Sequence, residues 1–219
     1  MCFSAEADVV AGLVVTTVGV DALRQVHRPA ERALGALPVL LGAHLLVEAV
    51  VWWGETGEVA ASTGRTAMWI YLAFALCILP PLVPFAVRGV EPDPGRRRTM
   101  AWLGWLGLLL AAVYLAAMVE GPVDVRVDGR HLEYQLGMEH GGLFAGMYVV
   151  VGCASPMLSS HRRVALFGLA NLFAVVALTW IQSSALTSLW CAWAAVARVA
   201  IAAHLRREHQ PPEVRIHMA

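Results

Sequence analysis

The stretch LLGAHLLVEAVVWW, residues 40–53, decides the fold because two ionisable side chains stand inside an otherwise apolar run. About 20 such residues are needed for a helix to cross a hydrocarbon core about 30 Å thick. His44 and Glu48 are four residues apart, so in a helix they share one face and lie one turn apart. Charged groups inside the hydrocarbon core are energetically costly, and they are usually paired or functional. The stretch therefore predicts a transmembrane helix whose polar face points into a bundle.

The whole chain has the composition of a membrane protein. Of its 219 residues, 58% are hydrophobic and 15% are charged, with a mean hydropathy of +0.63. The formal net charge is +0 and the basic residues are dispersed at helix ends, which argues against a nucleic-acid partner. All 16 basic residues are arginine, so no lysine is present to form a retinal Schiff base. The bilayer is the expected environment, and no retinal is expected.

Seven spans are predicted within one domain of residues 1–207, followed by a tail at 208–219. They lie at about 5–24, 33–54, 66–87, 99–119, 141–159, 163–182 and 184–205. No basic segment precedes the first apolar run, which predicts a retained transmembrane helix and not a signal peptide.

Arginines predict the direction of these spans. The connections after spans one, three and five, together with the tail, carry 12 arginines, whereas the other three connections carry 3. The positive-inside rule then predicts an all-α protein of the plasma membrane with its N-terminus outside and its C-terminus in the cytoplasm.

The loop between the fourth and fifth spans predicts a β-hairpin at 123–136. Its sequence VDVRVDGRHLEYQL alternates apolar and polar residues on both sides of Asp128–Gly129, which favours a two-residue type I′ turn. This turn would pair Val127 with Arg130, and would place Val125 opposite Leu132. A lone hairpin is marginally stable in water, so its apolar face is expected to pack on the helices or the membrane surface.

The His44–Glu48 pair admits three interpretations. It could coordinate a transition metal, zinc first among them, it could carry a proton or hold a small ligand, or it could be a structural hydrogen-bonded pair. Other N, O and S donors on the same outer side favour the metal. The predicted ligands are Cys2, His44, Glu48 and His140. A lid or outer support is predicted from His131, Glu133, Glu139 and Glu120.

Cys2 has more than one reading. Loss of Met1 would leave an α-amine beside the thiol, and this end could chelate a metal or act as a nucleophile. A disulfide to Cys191 is an alternative. Ser4 is a good helix N-cap, and Glu6 and Asp8 follow it near the positive end of the helix dipole.

A second pair of charged residues is predicted at the inner side. Asp21 lies near the inner end of the first span, and Arg198 lies about two turns from the inner end of the last. We expect a structural ion pair between these two spans.

Four features of the sequence resemble those of a known family. They are the segment MCFSA at 1–5, the segment GAHLLVEAVVWW at 42–53, the arginine-rich loops and the predicted hairpin. The chain resembles a family of bacterial integral membrane proteins that begin Met-Cys-Phe-Ser-Ala and have no assigned function. The resemblance implies the fold and topology and supplies no activity. It also implies that a polar residue such as Gln often stands at position 44, before the same Glu and Trp, which weakens a metal role for His44.

Three functional hypotheses follow. The first is a metal-binding membrane protein in which zinc could activate water for hydrolysis, so that the protein would be an enzyme. The second is a proton-coupled module that binds or transports a small molecule through His44 and Glu48. The third is a membrane scaffold whose polar residues serve packing alone.

Overall fold

The chain forms a helical bundle with one β-hairpin, as seen in a computed structural model that describes residues 4–129 and 131–181. The helices are α1 Ala5–Arg24, α2 Arg32–Thr56, α3 Ala61–Leu72, α4 Leu79–Val90, α5 Pro94–Glu120, α6 Gly141–Met157 and α7 Arg162–Ile181, and the strands are β1 Val123–Asp128 and β2 His131–Leu136. A π-helical segment, Ala73–Ile78, joins α3 to α4, so that six continuous helices occupy the described part of the chain. They lie where the first six predicted segments lie. The seventh, 184–205, falls outside the described residues.

Three of these helices are long and apolar enough to cross a membrane. Among the described residues they are Pro29–Thr56, Ala61–Val90 and Pro94–Glu120, the first of which includes a 3-10 turn ahead of α2. Helix α6 is apolar but shorter. Large apolar side chains also face outward, with Phe173 75% and Val119 72% exposed. An outer surface of this kind suits hydrocarbon better than water.

Helices α1 and α2 pack against each other through glycines. A Cβ atom on Gly12 would lie 2.8 Å from the Leu46 side chain and 2.9 Å from the carbonyl oxygen of Gly42. A Cβ atom on Gly19 would lie 2.7 Å from the backbone nitrogen of Val39. A later residue of α1 thus contacts an earlier residue of α2, so the two helices are antiparallel. Small residues that let backbones approach are a common means of joining helices in membranes.

The π-helical segment arises next to two prolines. Leu79 N–H donates to the carbonyl oxygen of Phe74 in the wider π pattern. The same pattern would pair the carbonyl of Ala75 with residue 80, but Pro80 has no N–H. The hydroxyl of Tyr148 on α6 donates to that carbonyl instead, at 2.9 Å. A side chain of a neighbouring helix thus satisfies the backbone acceptor that the proline leaves open.

The predicted hairpin is present, but its predicted register is wrong. Val125 lies opposite Tyr134, and not opposite Leu132. The turn is displaced by one residue, so that Asp128 pairs with His131 and Gly129, with φ of 58°, lies in the turn. The predicted register would oppose Asp124 and Glu133, whereas the observed one opposes Arg126 and Glu133. Opposite charges across a strand pair stabilise it and like charges do not.

The apolar face of the hairpin packs on the helices, as predicted. Leu132 is buried in a cluster that includes Trp52, Tyr71 and Met118, and Tyr134 packs against this cluster. The displacement of the turn moves each pairing by two residues, which leaves every side chain on its predicted face. We call this end of the bundle the hairpin end. The opposite end, where the loop 91–93 precedes α5, is called the arginine end.

Candidate functional site

His44 and Glu48 lie inside the bundle. The residues are 4% and 0% exposed, and both belong to the buried stripe of α2. One helical turn separates them, which corresponds to a rise of about 6 Å. Full burial confirms that the polar face of α2 points into the protein. The pair is therefore shielded from lipid and can serve chemistry or packing.

An aromatic stack connects His44 to the hairpin. The imidazole ring stacks on Tyr71 with centroids 4.0 Å apart, and Tyr71 stacks on Tyr134 with centroids 4.8 Å apart. Phe74 touches the same imidazole from the π-helical segment, at a centroid distance of 4.9 Å. The rings of His44 on α2, Tyr71 on α3 and Tyr134 on β2 thus form a continuous column. The column therefore places the hairpin in continuous packing contact with the buried imidazole.

Trp52 extends the polar stripe of α2 by one more turn. It lies four residues beyond Glu48, and the residue is 5% exposed. Its indole N–H has no hydrogen-bond acceptor among the described residues. A buried donor without an acceptor costs roughly 1–3 kcal/mol. The stripe therefore offers an imidazole, a carboxyl group and an indole donor in succession toward the hairpin end.

Asp8 is a second buried acid at this end. It is 1% exposed and lies on the stripe of α1 that includes Gly12 and Gly19. The antiparallel packing of α1 on α2 places Asp8 one turn beyond the Gly12–Leu46 contact, near the level of Glu48. Ser4 Oγ accepts a hydrogen bond from Ala7 N–H, which confirms the predicted cap. Asp8 is therefore packed inside the bundle, whereas the other first-turn acid, Glu6, is exposed.

The predicted metal ligands do not come together in the described part of the chain. Across residues 4–129 and 131–181, no group of three His, Cys, Asp or Glu side chains could hold a metal ion. His140 is exposed just before α6, in the left-handed backbone region with φ of 60°. Cys2 lies outside the described residues, as does Cys191. The metal site with Cys2 stays a prediction.

The predicted lid residues divide into two groups. His131 is 8% exposed, and its Nε2 atom lies 3.6 Å from the Asp128 carboxylate. Glu133 is half-buried on the same strand. Glu139 and Glu120 are exposed at the ends of their segments. The hairpin itself, and not the loop acids beside it, covers the candidate site.

The predicted ion pair of Asp21 with Arg198 is not tested, because Arg198 lies outside the described residues. Asp21 is half-buried near the end of α1. Its carboxylate accepts a hydrogen bond from Gln25 Nε2 at 2.9 Å. One local partner of the acid is thereby identified, and the interhelical partner stays a prediction.

A buried carboxylate at the arginine end was not predicted. Glu91 is 2% exposed in the loop between α4 and α5. It accepts hydrogen bonds from Ser159 Oγ at 3.0 Å, from Ser160 N–H at 2.8 Å and from Ser160 Oγ. Asp93 N–H donates to it as well, at 3.3 Å. We call this group of contacts the Glu91 clasp, because it fastens the α4–α5 loop to the α6–α7 loop.

The clasp holds Glu91 in its ionised form. Burial alone would raise the pKa of the carboxyl group, but hydrogen bonds from Ser160, Ser159 and the Asp93 backbone outweigh it and lower the pKa below its ordinary value. Two further contacts tie the loops together. Arg96 donates to the carbonyl oxygen of Leu158 at 2.9 Å, and His161 Nε2 lies 3.1 Å from the carbonyl oxygen of Val90.

The sequence contains only weak signals for Glu91 and for the aromatic neighbours of His44, which were not predicted. Glu91 stands between a helix end and Pro92 in an arginine-rich loop, where an acid is unusual. Tyr71 and Phe74 are three residues apart, and so share one face of a helix. Neither pattern reveals which partner the side chain meets, since Ser159 and Tyr134 are more than 60 residues away in sequence.

Comparisons with known proteins agree with an uncharacterised family. No curated protein and no solved structure matches the chain. The sequence profile of a family of unknown function, DUF6629, matches residues 1–216. Since the match covers nearly the whole sequence, the chain belongs to the DUF6629 family.

Proposed function

We propose that the protein is a multi-pass membrane protein in which His44 and Glu48 bind and release a proton, coupled to a small molecule that enters beneath the hairpin. The aromatic column from Tyr134 through Tyr71 to His44 carries this proposal, because it links the hairpin to the buried imidazole of the pair. An imidazole and a carboxyl group one turn apart can exchange a proton without exposing charge to lipid. The Trp52 indole donor would meet an oxygen atom of the ligand or of water.

The proposal includes the seven-span topology in the plasma membrane. The hairpin end would face outward and the arginine end would face the cytoplasm. Support comes from the arginine distribution and from three helices of sufficient length and apolarity.

Cysteine labelling in whole cells tests the topology. Arg97→Cys and Asp124→Cys are made separately in a chain whose four cysteines are replaced by serine. A membrane-impermeant maleimide should label position 124 in intact cells and position 97 only after permeabilisation. Labelling of position 97 in intact cells, with position 124 protected, would reverse the orientation.

Infrared difference spectroscopy tests the proton site. The intact protein in lipid nanodiscs is moved between two pH values, and carboxyl and imidazole bands are recorded. Glu48→Gln, which keeps the side-chain shape, should remove a carboxyl band. The control Glu133→Gln, on the hairpin, should leave that band in place. The proposal is wrong if Glu48→Gln folds as the wild type does and changes no band.

The same purified protein tests the alternative that the site of His44 and Glu48 holds zinc and not a proton. Zinc would need Cys2 as well as His44 and Glu48, so elemental analysis is made of the wild type, Cys2→Ser and Glu48→Gln, all purified without chelator. Stoichiometric zinc that disappears in both variants would replace the proton site by a metal site. Proton-linked bands together with metal-free protein would support the proposal.

A further inference from the structure

The Glu91 clasp brings two arginine-bearing loops to one surface. Its contacts join residues 90–96 to residues 158–161, and arginines flank both segments. We call these the arginine surface: Arg88, Arg96, Arg97, Arg98, Arg162 and Arg163. All six side chains belong to exposed residues. The surface is thus assembled by tertiary contacts, and no single loop presents it.

The arginines of this surface outnumber the acids of the same loops. Residues 88–98 and 158–163 include two carboxylates, Glu91 and Asp93. Glu91 is buried and faces hydroxyl and N–H donors. Asp93 Oδ1 accepts from Arg96 N–H at 2.7 Å and caps the start of α5. Both nearby acids are therefore already engaged. Arg96 Nη1 donates to the carbonyl oxygen of Leu158 at 2.9 Å, and all six arginines of the surface are exposed residues.

Two tryptophans place the surface at the level of lipid headgroups. Trp102 and Trp105 on α5 are 66% and 61% exposed. They follow Arg98 by four and seven residues, which corresponds to about 6 Å and about 10 Å along the helix. Exposed tryptophans concentrate where hydrocarbon meets headgroups. The arginines then lie at the depth of the phosphates.

We propose that the arginine surface binds the phosphate groups of anionic phospholipids in the adjacent leaflet. A guanidinium group can donate two parallel hydrogen bonds to a phosphate, and several such groups held by one clasp favour a lipid with net negative charge. The proposal requires that α5 crosses the membrane. It does not depend on the chemistry of His44 and Glu48.

Lipid titration of the purified, full-length protein in neutral detergent tests this proposal. Phosphatidylglycerol and phosphatidylcholine are added separately, and bound lipid is counted by native mass spectrometry. The wild type should prefer phosphatidylglycerol, and added salt should weaken that preference. In Arg97→Gln/Arg162→Gln, affinity for phosphatidylglycerol should fall about fivefold for each arginine removed, with phosphatidylcholine binding unchanged.

Matched variants distinguish a specific lipid site from non-specific electrostatic attraction between the protein and anionic lipid. Arg65→Gln/Arg126→Gln removes two arginines from the hairpin end and should retain the preference. Arg97→Lys/Arg162→Lys keeps the charge without the planar donor pair and should bind with intermediate affinity. If the glutamine variant does not fold, the lysine variant and the salt dependence decide the question.

Several outcomes would overturn the proposal. Equal affinity for the two lipids, or an equal loss of preference in Arg65→Gln/Arg126→Gln, would leave only non-specific attraction. Full competition by inorganic phosphate at the concentration of the lipid would assign the surface to a soluble anion. Tighter binding of a short RNA than of phosphatidylglycerol would assign it to nucleic acid.

Discussion

The imidazole ring of His44 and the phenol ring of Tyr71 stack with their planes inclined by only 10°. Each ring comes from a different helix, and Tyr134 continues the stack from the hairpin. Stacked aromatic pairs contribute about 0.5–1.5 kcal/mol beyond the area that they bury. The hairpin is therefore held to the bundle partly by the aromatic column whose innermost ring is the buried imidazole.

Tyr134→Ala should loosen the hairpin. Loss of the ring removes the outer member of the column, so we expect faster amide hydrogen exchange in β1 and β2. The hairpin should lose the stacking contribution of about 0.5–1.5 kcal/mol and, in addition, the contribution of the ring area that is buried. Tyr134→Phe keeps the ring and is the matched control. Equal exchange in the alanine variant and the wild type would show that the stack does not hold the hairpin.

Gly12→Ala should destabilise the protein. The added methyl group would meet the Gly42 carbonyl oxygen at 2.9 Å, and a backbone atom on a packed helix cannot move aside easily. Overpacking of this kind costs about 1–3 kcal/mol. Thermal unfolding in detergent should show a lower Tm.

Gly146→Ala is the control for that change. Gly146 is also helical, and a Cβ atom there would meet no heavy atom of the other described elements within 4 Å. Since alanine is the better helix former by roughly 1 kcal/mol, this variant should keep or raise the Tm. A Gly12→Ala protein as stable as Gly146→Ala would refute the close packing of α1 on α2.

Glu91→Gln should weaken the arginine end. The amide cannot accept all the hydrogen bonds that the carboxylate accepts, and each buried group left unsatisfied costs roughly 1–3 kcal/mol. The pH dependence has a defined sign. Because folding lowers the pKa of Glu91 below the ordinary 4.5, its contribution is fully present above pH 4.5 and is lost as pH falls through the folded-state value.

Chemical unfolding at several pH values checks this prediction. The stability difference between the wild type and Glu91→Gln should be constant above pH 4.5 and should shrink below it. Asp124→Asn, at the hairpin end, is the control and should not reproduce this shrinkage. A difference that grows as the pH falls would contradict the clasp.

Tyr148→Phe should cost about 1 kcal/mol, because it removes the hydrogen bond to the Ala75 carbonyl. Pro80→Ala would supply the missing backbone N–H for that acceptor. In the Pro80→Ala protein, Tyr148→Phe should therefore cost less, and a double-mutant cycle of Tm and unfolding free energy measures the difference. Additive effects would show that the tyrosine does not replace the proline N–H.

Much of the fold could be predicted because local patterns determine it. Helix α1 begins at the residue after the Ser4 cap, and the polar stripe of α2 is buried as its spacing indicates. The hairpin register could not be predicted from the turn dipeptide, since the observed register places Arg126 opposite Glu133 and lets Arg126 Nη2 donate to Gln135 Oε1 at 2.6 Å. A choice between two registers depends on partners across the sheet and not on the turn alone.

The candidate site was predictable only in its α2 part. His44 and Glu48 stand out as polar residues in an apolar helix. Tyr71 is an ordinary aromatic residue by sequence, and only the packing of α3 on α2 turns it into the neighbour of an imidazole. Glu91 shows the same limitation, because its burial comes from hydroxyl donors of a distant loop.

The Glu91 clasp also sets an order of assembly. Its donors, Ser159 and Ser160, lie 68 and 69 residues after the acceptor, so the ribosome completes α5, the hairpin and α6 before the donors exist. Until then the carboxylate has none of the serine donors and is exposed to water. Its transfer from water to the serines closes the α4–α5 loop onto the α6–α7 loop, so the clasp can form only after α6 has been synthesised.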